Sequence, residues 1–305
     1  MSTSYAFGID GGGTHSRLRV FEMESGRVEK ECRGGSTNPY SVGEEAAKEN
    51  VRQLILSAGV PLTELKRGCL GSAGVSRPAE KQLFRAFFDD FLPGCRVYLC
   101  NDAETLLAGS LQGTEGYCLI CGTGSIALAR SRSGELCRSG GLGYMLGDEG
   151  SALWIGWQAI RRALRAREGR DLSTDMLPLL QAHFSLEHPD DFVAYTHQRF
   201  QKAEIASAAR LVLEVAEAGD PLARDIAHQA ARETALLVKS VMDRLPLEEK
   251  RVALAGGVVE KNDHFRALVL AEISRACPGT RPFLGRGDAL TGACILALQG
   301  EGAEG

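Results

Sequence analysis

Ala6-Phe7-Gly8-Ile9-Asp10-Gly11-Gly12-Gly13-Thr14 is an apolar run that ends in an acid and three consecutive glycines. A triple glycine costs backbone entropy, so it is tolerated where φ must be positive or where a ligand approaches the main chain closely. Successive unhindered N–H groups form a concave anion site, and the Thr14 hydroxyl adds a donor, which makes phosphate the ligand this turn suits. Asp10, at the end of the strand, suits a water-mediated contact to Mg2+, which takes one or two carboxylates plus phosphate oxygens and keeps much of its hydration. Taken alone, the segment also fits a glycine-rich hairpin turn.

A second copy argues against that alternative. Tyr117-Cys-Leu-Ile-Cys-Gly-Thr-Gly-Ser125 again runs from an apolar strand into a Gly122-Thr123-Gly124 turn, followed by a β run from Ile126 to Arg130. Cys121 stands where the first copy has Asp10, so only the first copy offers a carboxylate near a metal. A third turn, Val252-Ala-Leu-Ala-Gly-Gly-Val258, carries Gly256 and Gly257 and precedes an amphipathic segment from His264 to Ala276. Three strand-to-glycine turns in one chain point to a nucleotide clamp.

At 305 residues, with 44% hydrophobic and 24% charged residues, the chain is long enough for two domains with real cores. A net charge of -4 provides no basic patch and no electrostatic case for a nucleic-acid partner. The start of the chain lacks an apolar stretch of signal-peptide length, and no run approaches the roughly 20 apolar residues of a membrane helix. A cytoplasmic protein without a membrane partner is the expectation. Nine scattered cysteines fit reduced thiols. Cys118 and Cys121 form a C-x-x-C inside a predicted strand, where residues three apart face opposite ways, and read as small buried hydrophobes.

In chain order, residues 5–9, 17–22 and 28–33 read as an antiparallel meander, followed by a polar loop, 34–39, and a helix over 43–58. A strand at 68–73, a helix carrying Leu83, Phe84, Phe87 and Phe88, a strand at 96–100 and a helix at 103–110 complete a β-β-β-α-β-α-β-α order. From residue 117 the order begins again with strands near 117–121, 126–130 and 135–138. A helical insertion from about 151 to 245 interrupts it, and it resumes with a strand at 251–255 and helices at 264–276 and 288–298. This predicts an α/β chain of two domains, 1–115 and 116–305, with the final helix placed to pack back on the first. The phosphate turns would face a cleft at the ends of their strands.

Two acids stand out. Gly140-Gly-Leu-Gly-Tyr-Met-Leu-Gly-Asp-Glu-Gly-Ser151 surrounds Asp148 and Glu149 with glycines just before a helix carrying Trp154 and Trp157. Acids in a first helical turn would explain Asp148 and Glu149 but not the glycines, which favours a ligand site. Asp102 follows the strand 96–100 and reads either as an N-cap or as a carboxylate that accepts a proton from an attacking hydroxyl. Asn38 fits an Asx turn before proline or a ligand contact equally. His15 reads as a solvated histidine after the turn, with a phosphate contact as the alternative, and the five other histidines and the run Arg161 to Arg170 read as helix surface.

These residues together resemble the sugar-kinase, heat-shock ATPase and actin superfamily, and within it the BadF/BadG/BcrA/BcrD ATPase family, which includes amino sugar kinases. The resemblance spans essentially the whole chain. Gly8-Ile-Asp-Gly-Gly-Gly-Thr14 is similar to the first phosphate motif, Cys121-Gly-Thr-Gly-Ser125 to the second, and Leu254-Ala-Gly-Gly-Val258 to the adenosine motif. It implies two RNase H-like (actin/hexokinase-type) domains around a nucleotide cleft, and ATP-dependent phosphorylation of the 6-hydroxyl of an amino sugar, N-acetyl-D-glucosamine foremost. Glucosamine, N-acetylmannosamine and N-acetylmuramic acid are the other candidates. Asp102 would be the general base, and Asn38, Ser125, Gly141, Leu142, Gly143, Tyr144, Met145 and Asp148 the sugar-binding set. Gly11, Gly12, Gly13, Thr14, Gly122, Thr123, Gly124, Gly256 and Gly257 would hold ATP, Asp10 would position Mg2+ through water, and a homodimer would be typical. Leu142 departs from the Trp usual in the family, and supplies a sugar face with less stacking surface. The family also holds ATPase activators that carry an iron–sulfur cluster, but the Cys-Ala-Ala-Gly-Thr-Gly-like segment that goes with it is not found in this sequence. A sugar-sensing regulator would be expected to add a helix-turn-helix segment and a basic patch.

Overall fold

The computed structural model describes residues 3–300. Strands β1 (Tyr5–Gly11), β2 (His15–Glu22) and β3 (Val28–Gly35) are followed by helices α1 (Pro39–Val42) and α2 (Glu44–Leu56), strand β4 (Leu65–Ser72), helix α3 (Pro78–Phe91), strand β5 (Arg96–Cys100) and helix α4 (Asp102–Leu111). The sheet runs in the order β3-β2-β1-β4-β5. β1 pairs antiparallel with β2 and parallel with β4, and its register sets Asp10 opposite Arg17 and Gly71. As the central strand β1 is almost wholly buried, which is why it reads as a continuous apolar run. β3, at the edge, is largely exposed and carries charges, as an unpaired edge requires. The core on this sheet gathers Phe7, Phe84, Phe87 and Phe88 with Ile9, Leu18, Val51 and Leu70.

The second sheet is built from β6 (Gly116–Cys121), β7 (Ser125–Arg130) and β8 (Leu136–Gly140), then, after five helices, β9 (Arg251–Ala255) and β10 (Arg281–Leu284), in the order β10-β9-β6-β7-β8. The helices between β8 and β9 are α5 (Ala152–Arg167), α6 (Met176–His183), α7 (Asp191–Gln198), α8 (Lys202–Ala218) and α9 (Pro221–Arg244). α10 (Gly257–Lys261) and α11 (Asp263–Ala276) join β9 to β10, and α12 (Ala289–Gln299) ends the described chain. α5, α8 and α9 share one core with β6 and β7. Gly156 on α5 lets α8 come close, since a methyl there would stand 2.0 Å from the Ile205 carbonyl oxygen.

The chain divides into two compact units, one comprising residues up to Thr114 together with those from Gly285 onward, the other Glu115–Leu284. The second unit stops at Leu284, and α12 belongs to the first. α12 packs on β1, β4 and α4. Added methyls at Gly8, Gly109 and Gly292 would collide with the backbone of Ala293 and Cys294, of Asp288 and of Thr105 respectively. Glycine on both sides thus brings α12 against the sheet. β10 escaped the sequence reading because Pro282 interrupts it, and a proline is tolerated there only because the strand lies at the sheet edge. Among the described residues no helix is long and apolar enough to cross a membrane.

Candidate active site

In the first unit the β1–β2 turn is closed by the Gly12 N–H donating to the His15 carbonyl at 3.0 Å. None of Gly11, Gly12 and Gly13 has a positive φ, so Gly11 and Gly12 answer a need for space, whereas a methyl on Gly13 would make only ordinary contacts. A methyl on Gly11 would lie 2.0 Å from Thr37 Oγ1, and one on Gly12 would lie 2.8 Å from the His15 carbonyl oxygen. The space at Gly11 is taken by the loop Ser36-Thr37-Asn38. Ser36 Oγ donates to the Gly12 carbonyl at 3.1 Å, and the Thr37 and Ser72 hydroxyls are hydrogen-bonded at 2.8 Å in the interior. Asn38 is thereby fixed beside Gly13 and Gly74. Its Oδ1 accepts the Tyr40 N–H at 2.9 Å as the cap of α1, which leaves the amide nitrogen for a ligand. Thr14 and His15 are exposed.

Asp10 is held by Arg17, whose Nη2 and Nε both reach Oδ2, at 2.7 and 3.2 Å, while Nη1 pairs with Asp288 at 2.8 Å. Oδ1 of Asp10 receives no donor among the described residues. Among those residues there is also no group of three His, Cys, Asp or Glu side chains able to hold a metal. One oriented carboxylate with a free oxygen fits an ion carried mainly by phosphate and water.

Asp102 is the first residue of α4, and the cap is Asn101, whose Oδ1 accepts the Glu104 N–H at 2.8 Å in a capping box with Glu104. The N-cap reading of Asp102 therefore falls. Its carboxylate accepts the adjacent Ala103 N–H, at 3.0 Å. Solvent reaches the side chain, but surrounding protein desolvates the charge and raises the pKa, the nearby N–H groups lower it, and the charge of Asp10 raises it again, with a net upward shift. Asp102 thus lies within the field of a second predicted residue, Asp10.

In the second unit the β6–β7 turn is closed by the Gly122 N–H donating to the Gly124 carbonyl at 2.9 Å. Gly122 and Gly257 have open space where a side chain would stand. Gly122, Thr123, Ala152, Gly257, Val258, Lys261 and Asn262 line a cavity of about 850 Å³ with one face of α8, comprising Ala203, Ala206, Ser207, Ala209, Arg210, Leu213 and Glu214. Two glycine turns far apart in sequence therefore open into one cavity. Its α8 wall, of small side chains at helical spacing, was missed in the sequence, although the alternation of alanines with Arg210 and Glu214 was the available signal. Gly256 stands outside the cavity lining. Its φ of 98° and the crowding of Cys121 backbone, 2.5 Å from any added methyl, explain the glycine, and its N–H donates to Glu260.

The loop after β8 turns through positive φ at Gly140, Gly141, Gly143 and Gly150, and also at Asp148, where φ is 61°. A non-glycine residue in this region is strained and persists only where the surroundings fix it. Asp148 Oδ1 accepts the Ser125 N–H at 3.2 Å, its carbonyl accepts the Ser151 N–H, and the Ser125 hydroxyl donates to the Glu149 carbonyl at 2.7 Å. Ser125 is buried and supports the loop. Gly124 makes room for Asp148, whose Oδ1 would lie 2.9 Å from an added methyl. Asp148 and Glu149 precede α5, whose cap is Ser151, so they are not its first-turn acids. Burial raises the Asp148 pKa, the Ser125 N–H opposes this, and Glu149 adds to it. Tyr144, Met145 and Asp148 line a second cavity, of about 540 Å³, with Trp154, Trp157 and Phe200. Leu142 is exposed, and Gly143 has no neighbour within 4 Å of an added methyl.

Two mixed α/β units of five strands each, with glycine turns at strand ends, make up a fold of the actin-like sugar-kinase class. A solved structure from Chromobacterium violaceum, provisionally designated an N-acetylglucosamine kinase, superposes with a TM-score of 0.74 and 27% identity over 97% of this chain and 100% of that one. The chain belongs to the BadF/BadG/BcrA/BcrD ATPase family, whose profile matches residues 7–297. It is 32% identical over 300 residues to an N-acetylmuramic acid/N-acetylglucosamine kinase of Clostridium acetobutylicum, covering 96% of this chain and 98% of that protein. It is 30% identical over 321 residues to an N-acetyl-D-glucosamine kinase of Dictyostelium discoideum, covering 98% and 99%.

Proposed function

We propose that this chain is an ATP-dependent kinase that phosphorylates the 6-hydroxyl of an amino sugar, N-acetyl-D-glucosamine foremost. The observation that carries the reading is Asp102, a carboxylate at the carboxyl end of β5 whose capping duty Asn101 has taken and whose proton affinity is raised. In this role it accepts the proton of the 6-hydroxyl as that oxygen attacks the γ-phosphorus and ADP departs. Asn38 and Asp148 bind ring hydroxyls, and the loop from Gly141 to Met145 with Ser125 shapes the sugar site. The 850 Å³ cavity receives adenosine between Gly257 and α8, with phosphates toward Gly122 and Thr123, and the Gly11–Thr14 turn of the first unit supplies further phosphate donors. Mg2+ bound with ATP would neutralise charge on the phosphates, and Asp10 would be the residue that holds it, through water. The same reading takes 151–245 as a helical insertion in the second RNase H-like domain, and a cytoplasmic homodimer as the working form. The names of the two relatives support the substrate class.

A coupled ADP assay with Mg2+ against glucose, glucosamine, N-acetylglucosamine, N-acetylmannosamine and N-acetylmuramic acid, run beside Asp102→Ala, tests the reading. Sugar-stimulated ADP release that the substitution removes is the expected result. Slow hydrolysis that no sugar stimulates and Asp102→Ala leaves unchanged would sink it.

A further inference from the structure

The 540 Å³ cavity holds more than the acids of the sugar loop. Trp154, Trp157, Gln158 and Arg161 of α5 all line it, together with Tyr144, Asp148, Glu149 and Phe200. These four α5 residues are spaced i, i+3, i+4, i+7 and form one stripe, so a single helix face runs along the cavity wall. The stripe ends in a cation. Arg161 is seven residues beyond Trp154, roughly 10 Å along the axis, and its side chain leans back toward the helix start, over the cavity.

Arg161 differs from its neighbours in the arginine run. Arg162 pairs with Asp171 and Asp225, Arg165 with Asp171, Arg167 with Asp190 and Arg170 with Glu168. Arg161 has no ion pair or hydrogen bond among the described residues. Its surroundings are aromatic: Tyr144 stacks on Phe200 with centroids 5.3 Å apart, and Trp157 meets Phe200 edge-on at 5.9 Å. Acids sit at the end of the cavity nearest the α5 cap and the guanidinium two turns further on. A ligand suited to both ends carries hydroxyls at one and an anion at the other, joined by an apolar stretch.

We propose that Arg161 is a specificity-determining residue that binds a carboxylate carried on an ether side chain of the amino sugar, so that acidic hexosamines are substrates beside neutral ones. The proposal rests on the amino sugar kinase reading and assigns a ligand group to a residue outside the sugar loop. A guanidinium pairs with a carboxylate through two parallel N–H···O bonds, which lysine cannot reproduce. The apolar part of the ether side chain would lie along the aromatic rings of Trp157 and Phe200 that line the same cavity, while the Arg161 guanidinium stands open to solvent.

The test compares kcat/KM for N-acetylmuramic acid, its methyl ester and N-acetylglucosamine in wild type, Arg161→Gln and Arg161→Lys. The expected result is a fall in the acid-to-neutral ratio of kcat/KM by roughly 10- to 100-fold in Arg161→Gln, with partial recovery in Arg161→Lys. Esterification of the acid lowers the wild-type ratio similarly and leaves the Arg161→Gln ratio unmoved. Phosphorylation of N-acetylglucosamine but not of the acid by wild type would overturn the proposal and leave the kinase reading standing, as would a proportional loss on both sugars in Arg161→Gln. Failure of wild type on every sugar would overturn the kinase reading, and the proposal with it.

Discussion

Replacing Gly124 by alanine isolates the support of Asp148 from the rest of the fold. The added methyl would stand 2.9 Å from Asp148 Oδ1 and 3.1 Å from its Cγ. To regain ordinary contact the carboxylate must retreat by about 0.5 Å. The Ser125 N–H···Oδ1 bond, already 3.2 Å long, is then stretched past useful geometry. Gly124 is outside the left-handed region, and the displaced atoms are the end of a side chain, so the backbone pays no strain. A hydrogen bond to a charged group contributes about 1.5–3 kcal/mol, so if the displaced carboxylate loses its bond to a ring hydroxyl the sugar KM rises roughly 10- to 100-fold. The assay is steady-state kinetics with each substrate varied separately, beside a thermal melt. A sugar KM within twofold of wild type, or an equal rise in the KM for ATP, would refute the role given to Asp148.

Gly122→Ala fills space that no protein atom occupies. The melt should be unchanged and the KM for ATP should rise about tenfold or more if that space admits phosphate; an unaltered ATP KM would remove Gly122 from the site. Asp102 sets the pH response. As its folded pKa lies above the ordinary value, the base is lost as pH falls through that raised pKa, and kcat/KM for the sugar should fall with it. The stability sign runs the other way: the folded state prefers the protonated carboxyl, so ionisation destabilises the fold as pH rises through the raised pKa. Asp102→Asn should therefore melt higher than wild type at neutral pH and gain less in acid; equal gains at both would remove the titration argument.

Much of the fold was legible because its signals are local. The buried run into Asp10 and the glycines marked β1 and its turn, and the repeat from Tyr117 to Ser125 marked the second sheet. The Asn101-x-x-Glu104 capping box was also readable and would have cleared Asp102 of capping at once. Other features depend on long-range packing. The need for Gly11 arises from Thr37 and that for Gly124 from Asp148, partners 26 and 24 residues away. Aspartate enters the left-handed region more readily than most residues, but nothing local marks Asp148 as the one that does so. Pro282 concealed β10, and although the return of α12 to the first unit was expected, the glycines that allow its close approach answer to partners that composition does not reveal. Arg161 read as surface because it is exposed, and only the helix register set it on the cavity wall.

The central claim is transfer of the γ-phosphoryl group of ATP to the 6-hydroxyl of an amino sugar with Asp102 as base. NMR of the product formed from N-acetylglucosamine, ATP and Mg2+ tests it most directly. Phosphorus coupling to C6 and its protons, absent with Asp102→Ala, is the predicted result. Inorganic phosphate with unchanged sugar, or phosphorus on another hydroxyl, would contradict it.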